Sequence, residues 1–436
     1  MASVNQKIFI KTHEGGKAKY ADIKEQFLRT LNSCLLWEDG FYEDGEEIGK
    51  RLFDLTILSA KNDFRWTIEQ IIKARKEIGL RHAPLWCLVA LASIKMLSKE
   101  NVRNVLMRPD DATELLALYW KNGNMSIAAS IKKGLAMFFQ TLDEYRLAKY
   151  GTRDGTVKLR DILFLSHAKP SNEEQAKLWK RFITGELEEP ETWEHMLSAG
   201  NDKKETFKKL ISDGKLGSLA LIRNLRNMVE VNVDGKIIIE AIKSAKTERI
   251  FPYQIMQAAK YAPRFESQLE DMLYRCIKEY GKLNGTTIFL IDHSGSMSEG
   301  CGGKKSEMNR YDAAKSIAVI LREICEDARI FLFNDSVKEL PARRGFGLIE
   351  AMGDPHGGTR LGYAIQYANT QQHDRLIVIT DEQTQDSVTD PVAEKAYLIN
   401  PSSNKNGVGY GKWIHIDGFS TNVIDFILGC EINDRA

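Results

Sequence analysis

The sequence lacks the features that mark secreted and membrane-inserted proteins. Its six cysteines are scattered, with no Cys-x-x-Cys pair, which argues against a disulfide framework or a zinc site and indicates a reducing compartment. No apolar run approaches the length of a membrane span, and the first residues contain no apolar core of a signal peptide. We therefore expect a cytoplasmic protein without a membrane partner.

An excess of charge of one sign is also missing, because 61 Lys and Arg face 60 Asp and Glu. The balance changes along the chain. Residues 1–282 contain 46 basic and 39 acidic side chains (+7), whereas residues 283–436 contain 15 and 21 (−6). A polyanionic partner is therefore expected on the first part only, although the same surplus also fits a solvated helical surface.

The spacing of apolar residues divides the 436-residue chain at the same place. Before residue 283 they recur at helical spacing, with short polar links between segments. Serial helices without strand alternation predict an all-α, HEAT-like solenoid of stacked helical pairs. After residue 283, β-rich apolar runs alternate with helical segments, which predicts a doubly wound α/β domain with a parallel sheet covered on both faces. We predict two domains, residues 1–282 and 283–436.

Short oxygen-bearing side chains follow the first predicted strand, Thr287–Ile291. They are Asp292, Ser294 and Ser296, and one carboxylate with two hydroxyls suits Mg²⁺ or another hard cation. The alternative is that these residues cap the next helix and tie a turn. The pattern Asp-x-Ser-x-Ser after an apolar strand resembles the metal-ion-dependent adhesion site of von Willebrand factor A domains.

That site needs a Thr and an Asp from later loops, and this sequence offers both. Thr359 follows two glycines, and Asp381 follows the apolar strand 375–380. The resemblance implies one divalent cation, Mg²⁺ as the first candidate, held by five residues: Asp292, Ser294, Ser296, Thr359 and Asp381. In open α/β sheets, ligands lie at the carboxyl ends of strands. A cation held there would also accept a carboxylate from a partner protein.

Motifs in the helical part resemble the TROVE domain of the Ro autoantigen family. They are Cys34–Tyr42, Ala148–Gly155, Leu159–Pro170, Leu219–Met228 and Arg249–Ile255. A TROVE domain followed by a von Willebrand factor A domain is that family's architecture, so the resemblance spans nearly the whole chain.

The resemblance implies a ring of HEAT-like repeats closed by the A domain. Members of the family bind small noncoding Y RNAs on a basic outer surface, and they take single-stranded 3′ ends of misfolded RNAs into a central hole. Bacterial relatives act with a 3′-to-5′ exoribonuclease in RNA maturation and decay. The implied function is a ribonucleoprotein scaffold for RNA quality control.

The family's RNA-contacting residues match Lys149, Arg153 and His167. Arg160 lies in the same span, and cations here would neutralise phosphates with salt-sensitive affinity. The alternative is that Arg160 and Asp161 belong to a surface ion-pair network and that His167 caps a helix.

Two further arginines lie off an apolar helical stripe. Arg223 and Arg226 fall between the apolar positions of Leu219–Met228. They face either RNA or only solvent, and the pattern favours neither.

Three classes of function are compatible with these motifs. The first is an RNA-binding scaffold without chemistry of its own, which we favour. The second is a hydrolase in which a cation at Asp292 activates water. Against it, the sequence contains no P-loop, no Ser/His/Asp triad signature and no Asp-x-Asp loop. The third is a protein-adhesion module, which can coexist with the first.

Overall fold

The structure is a computed structural model that describes most of the chain. The described residues are 10–33, 42–123, 126–152, 155–188, 192–198, 202–248, 250–278, 280–300, 308–402, 404–418 and 422–433. Contacts divide the chain into two compact units. We call Ile23–Trp37 with Gly45–Thr192 the helical unit. We call Met1–Asp22, Glu38–Asp44 and Trp193–Ala436 the sheet unit.

The described residues of the helical unit form ten helices. They are α1 (Ile23–Ser33), α2 (Gly45–Asn62), α3 (Phe64–Lys76), α4 (His82–Ser93), α5 (Lys99–Val105), α6 (Pro109–Lys121), α7 (Ala129–Phe139), α8 (Glu144–Gly151), α9 (Leu159–Ser166) and α10 (Glu173–Thr184). Helices α2, α4, α6, α8 and α10 contact one another in succession, and so do α1, α3, α5, α7 and α9. Two such rows are typical of stacked helical pairs.

Polar residues at the helix starts explain where several of these helices begin. The Asp63 side chain accepts a hydrogen bond from the backbone N–H of Trp66, and Asp143 does the same for Arg146. These bonds satisfy N–H groups that the helix itself leaves without acceptors. Pro109 stands at the first position of α6, where its missing N–H is harmless.

The sheet unit begins its long segment with further helices. They are α11 (Trp193–Ser198), α12 (Lys203–Ser212), α13 (Ser218–Arg223), α14 (Leu225–Glu230), α15 (Gly235–Ser244), α16 (Pro252–Tyr261) and α17 (Glu266–Ile277). One apolar core joins them to one face of the sheet described next, through residues such as Leu225, Ile255 and Leu269.

A mixed sheet follows, with helices between its strands. Its elements are β1 (Leu283–Asp292), α18 (Arg310–Ile324), β2 (Cys325–Phe333), β3 (Val337–Glu339), α19 (Gly345–Met352), α20 (Leu361–Asn369), β4 (Arg375–Ile379), β5 (Lys395–Asn400), β6 (Ile414–Asp417) and α21 (Asn422–Asn433). The strand order is β3-β2-β1-β4-β5-β6. Neighbouring strands are parallel except at β3, which pairs antiparallel with β2.

Helices cover both faces of the sheet, as predicted. Phe289 and Ile291 of β1 pack in the core that contains α17, α18 and α19. Ile288 and Leu290, which alternate with them, pack in a second core with α20. Successive side chains of a strand point to opposite faces, so both faces of β1 are buried.

The predicted change from helices to strands at residue 283 coincides with the start of β1. The compact units group residues 193–282 with the sheet. The division into domains at residue 283 stays a prediction. The sequence did not predict β3 or α19. Among the described helices, none combines the length and apolar character needed to cross a bilayer.

Candidate functional site

The two aspartates of the predicted metal set emerge at the same edge of the sheet. Strand β1 ends at Asp292, and β4 ends at Ile379, two residues before Asp381. The two strands pair in parallel, with Ile291 opposite Ile379. Their carboxyl ends therefore meet at one edge, and both carboxylates are fully buried there.

Hydrogen bonds fix the loop that follows β1. The backbone N–H of Ser294 donates to Asp292 Oδ1 (2.9 Å), and the Thr380 hydroxyl donates to Asp292 Oδ2 (2.5 Å). The hydroxyl oxygens of Ser294 and Ser296 lie 3.2 Å apart. The alternative reading, in which Asp292 stabilises a turn, therefore describes a real hydrogen bond of Asp292. Ser294 stands at the N-cap of a 3₁₀ turn, Gly295–Ser298, where its side chain makes no capping hydrogen bond, and Asn309 caps the next α-helix, α18.

Thr359 lies in a loop that interlocks with the other two. The backbone N–H of Gly295 donates to Gly357 O (3.0 Å), and the backbone N–H of Gln385 donates to Thr359 O (3.0 Å). Thr359 is 2% exposed. The structure therefore places all five predicted metal residues in three touching loops at one sheet edge.

Burial makes these carboxylates costly to ionise. Burial, together with the negative charge of Asp381, raises the pKa of Asp292 to about 7. Burial also raises the pKa of Asp381, against the opposing effect of the Arg310 guanidinium. Two neighbouring buried acids disfavour a second negative charge. A bound cation would therefore stabilise the ionised form of both carboxylates.

The Arg310 guanidinium brings a positive charge to this edge. Its Nη1 lies 2.6 Å from Glu299 Oε2 and 3.7 Å from Asp381 Oδ2. This guanidinium is thus shared by two carboxylates, while the buried carboxylates of Asp292 and Asp381 interact with each other. In addition, Asp381 Oδ2 is buried and accepts no hydrogen bond from the described residues. A divalent cation fits this buried, oxygen-rich edge with its two neighbouring aspartates.

His293, a candidate general base in the loop after β1, is engaged elsewhere. Its Nδ1 lies 2.7 Å from the Tyr311 hydroxyl, which itself donates to Met352 O (2.9 Å). Nδ1 must then carry the proton that it shares with Tyr311. Burial lowers the pKa of His293 to about 4. The imidazole is therefore a buried structural group, and its hydrogen bond turns it towards α18.

A second charged cluster lies beside the site, and no motif in the sequence predicts it. His415 Nε2 lies 2.7 Å from Glu382 Oε1, and His415 Nδ1 lies 3.4 Å from Asp417 Oδ2. Glu382 Oε2 also accepts from the backbone N–H groups of Val408 and Gly409. Glu382 directly follows Asp381, so this cluster fixes the backbone on the far side of a predicted metal ligand.

The predicted RNA-binding residues of the helical unit lie on α8 and α9, which pack against each other. Lys149 stands in the last turn of α8 and is half-buried. Arg160 stands in the first turn of α9 and is exposed. His167 is the exposed C-cap of α9, with left-handed backbone (φ 54°, ψ 38°). Arg153 lies outside the described residues.

The capping alternative for this region describes a real local contact, and the ion-pair alternative for Arg160 and Asp161 stays a prediction. Asp161 Oδ2 accepts the backbone N–H of Lys158 (2.9 Å), so it serves the start of α9. His167 ends α9, as the capping alternative predicts. The loop after His167 is held in place because Gln140 Nε2 donates to Lys169 O (2.8 Å). Its backbone is thus fixed while the His167 imidazole faces solvent.

Arg223 and Arg226 lie in the sheet unit and are exposed. Arg226 Nε bonds Glu230 Oε1 at 3.0 Å, and its guanidinium lies 5.5 Å from the centre of the Tyr261 ring. The apolar stripe of this segment is buried as predicted, at Ile222, Leu225 and Met228.

Comparison with known proteins gives one family and one fold. Residues 177–284 match the model of the TROVE domain. The fold is similar to the crystal structure of the Deinococcus radiodurans Ro (RSR) protein, with a TM-score of 0.58 at 18% identity, over 93% of this chain and 100% of that chain. No curated protein matches the sequence.

These findings confirm the predicted resemblance to the Ro (TROVE) family, in sequence over residues 177–284 and in fold over nearly the whole chain. The matched segment begins after the region that holds Lys149, Arg160 and His167. The roles of these residues therefore stay predictions.

Proposed function

We propose that this chain, which carries a TROVE-domain sequence within a Ro-like fold, is an RNA-binding protein without chemistry of its own. The observation that carries the proposal is the TROVE match at residues 177–284. The basic surplus of residues 1–282 supports it, because cations are the main source of affinity for a phosphate backbone.

The finer proposal follows the family's organisation. The protein binds small noncoding, Y-type RNA on an outer surface and single-stranded 3′ ends of structured or misfolded RNA in a central hole. It scaffolds a ribonucleoprotein with an exoribonuclease as protein partner, in RNA quality control, maturation or decay. The two rows of helices in the helical unit support the HEAT-like ring, and the doubly wound strand order supports the von Willebrand factor A domain.

The proposed RNA surface of the helical unit combines three types of contact. Lys149 offers a point charge, Arg160 a planar fork for phosphate or base, and His167 a hydrogen-bonding ring. Arg160 and His167 stand at opposite ends of α9, which places them roughly 10 Å apart along the helix. Arg153, which stands between α8 and α9 in the sequence, is proposed to add a fourth contact. Arg223 and Arg226 remain candidates on the other unit.

A filter-binding assay with a folded small RNA over a salt series tests this function. We expect affinity to fall steeply with salt, and the double variant Lys149→Ala, His167→Ala to bind roughly tenfold or more weakly with a smaller salt slope. Lys76→Ala is the matched control, because Lys76 is an exposed lysine in the last turn of α3. Absent or salt-independent binding refutes the RNA function. Equal affinity of the double variant and the control moves the site elsewhere.

We also propose that the sheet edge binds one divalent cation, Mg²⁺ in the cell. The five residues Asp292, Ser294, Ser296, Thr359 and Asp381 would hold it, and the two neighbouring buried aspartates support a cation of charge two. When bound, the cation would offer a coordination position to a carboxylate, which is the chemistry of an adhesion site. The hydrolase alternative is weakened because His293 is buried with a pKa lowered to about 4.

Calorimetric titration with Mg²⁺ tests the cation site. Asp292→Ala should abolish uptake and leave RNA affinity unchanged, because the two sites use different residues. Undiminished uptake by Asp292→Ala refutes the site. Turnover of a nuclease or phosphatase substrate that depends on Asp292 would favour the hydrolase instead. The proposed location is the cytoplasm, which the scattered spacing of the cysteines, with no Cys-x-x-Cys pair, supports.

A further inference from the structure

A hairpin near the N-terminus lies against the loop that follows Asp381. We call residues 10–18 the N-terminal hairpin. Lys11 and Lys17 form an antiparallel bridge, and Thr12 N donates to Gly16 O (2.9 Å). Gly15 has a φ of 92° at the turn, a conformation that glycine adopts without strain. The tip of the hairpin is therefore a tight turn that presents Glu14.

Backbone contacts anchor this hairpin to the 383–385 segment. Gly16 N donates to Thr384 O (3.1 Å), and the Thr12 hydroxyl donates to the same oxygen (2.6 Å). His13 N donates to Gln383 Oε1 (2.8 Å). A Cβ at Gly16 would lie 2.3 Å from Thr384 O, so the two backbones touch. The hairpin is thus held directly beside the proposed cation ligand Asp381.

The carboxylate of Glu14 reaches the rim of the cation site through two side chains. Its Oε1 accepts from the Tyr42 hydroxyl (2.8 Å), and its Oε2 accepts from Gln385 Nε2 (3.3 Å). Burial, followed by the negative charge of Asp381, raises the pKa of the Tyr42 hydroxyl, so Tyr42 lies near Asp381. The backbone N–H of Gln385 donates to Thr359 O. Glu14 is therefore one side chain away from the loop that holds Thr359, and its partner Tyr42 is near Asp381.

This placement brings a carboxylate to the rim of an edge that already holds two buried aspartates. Buried Asp381 Oδ2 accepts no hydrogen bond from the described residues, and Arg310 Nη1 lies 3.7 Å from it. Glu14 itself is exposed, and the hairpin backbone is held beside the 383–385 segment. A cation between Glu14 and the aspartates would attract all three carboxylates.

We propose that Glu14 supplies, from the same chain, the carboxylate that completes the divalent-cation site, so that the bound cation clamps the N-terminal hairpin onto the sheet edge. An acidic partner protein must then displace Glu14 before it can reach the cation. The inference rests on the cation site of the proposed function, and it changes that site from an open adhesion surface to one that is filled internally.

Hydrogen exchange and Mn²⁺ binding on the full-length protein test this proposal. In the wild type, Mn²⁺ should slow amide exchange of residues 10–18 relative to chelator-treated protein. Glu14→Gln keeps the size and the hydrogen-bonding groups of the side chain but removes its charge. We expect its Mn²⁺ affinity to fall roughly tenfold, since a charged ligand is lost, and the Mn²⁺-dependent protection of residues 10–18 to disappear. Solvent-proton relaxation should show one more Mn²⁺-bound water in this variant.

Two further variants separate the possible failures. Glu350→Gln makes the same chemical change at an exposed position of the sheet unit and should behave as the wild type. If Asp292→Ala binds Mn²⁺ as tightly as the wild type, the cation site itself is wrong. If Asp292→Ala loses Mn²⁺ while Glu14→Gln keeps wild-type affinity and wild-type protection of the hairpin, the cation site stands and the role of Glu14 is refuted.

Discussion

Replacing His167 by glycine is expected to strengthen the fold and weaken RNA binding at the same time. His167 ends α9 with φ 54° and ψ 38°, and its N–H donates to Phe164 O (3.2 Å). Left-handed backbone costs a residue with a Cβ about 1–2 kcal/mol, whereas glycine adopts it freely. The greater freedom of glycine in the unfolded chain offsets about 0.4–1 kcal/mol of that gain. The net expectation is a free energy of unfolding about 0.5–1 kcal/mol higher.

The same substitution removes the imidazole proposed to contact RNA. A hydrogen bond is worth about 0.5–1.5 kcal/mol net, so the affinity for a folded small RNA should fall roughly three- to tenfold. Urea denaturation followed by circular dichroism gives the stability, and filter binding gives the affinity. An ordinary structural residue cannot produce both results, because a stabilised fold would not by itself weaken binding.

Lys95→Gly is the matched control for this experiment. Lys95 follows α4 in the same unit with a φ of 60°, so its replacement should raise stability by a similar amount and leave RNA affinity unchanged. His167→Ala keeps the left-handed strain and should lose affinity without the gain in stability. A destabilised His167→Gly variant would refute the backbone argument, and an RNA affinity equal to that of Lys95→Gly would refute the binding role.

Two other predictions concern buried charge. Burial opposes the charge on His415, but Asp417 and Glu382 outweigh it and raise its pKa to about 10, above the ordinary value near 6.5. The charged His415 therefore stabilises the fold fully below pH 6.5, and this stabilisation is lost as the pH rises through about 10. Thermal melts of the wild type should show the loss, and melts of His415→Gln should not. In the wild type, the buried Arg75 lies 2.6 Å from Asp111 Oδ2. Asp111→Ala removes this counter-charge, so it should lower the free energy of unfolding by about 3–5 kcal/mol in urea titrations. A loss below about 1 kcal/mol would contradict this.

The elements with a clear apolar pattern were predictable from the sequence. The run Thr287–Ile291 lies within β1, because burial on both faces leaves a continuous apolar run. The stripe Arg310–Glu323 lies within α18, where apolar residues recur at helical spacing. Strand β3 was missed because its three residues are a short, largely exposed edge with no such pattern. Helix α19 was missed because glycines stand at 345 and 347, and glycine is unfavourable within helices.

The sequence predicted which residues of the candidate site meet at the sheet edge, but not the residues around them. Asp292 and Asp381 each follow an apolar strand, so topology alone brings them together. Their neighbours come from residues whose roles depend on distant contacts. Thr380 bonds Asp292 across 88 residues, and Thr12 bonds Thr384 across 372. No local pattern encodes such pairs, so Thr380, Arg310 and the N-terminal hairpin became visible only in the folded chain.

The anchoring of the N-terminal hairpin has a consequence for how the chain folds during synthesis. The hairpin is made first, but its acceptor Thr384 lies 372 residues later, and at about 5–20 residues per second it leaves the ribosome roughly 20 to 75 s afterwards. Contacts this distant in sequence also slow folding. The sheet unit, which contains residues on both sides of the helical unit in sequence, can therefore close only after residue 384 has been made, whereas residues 45–192 can pack much earlier.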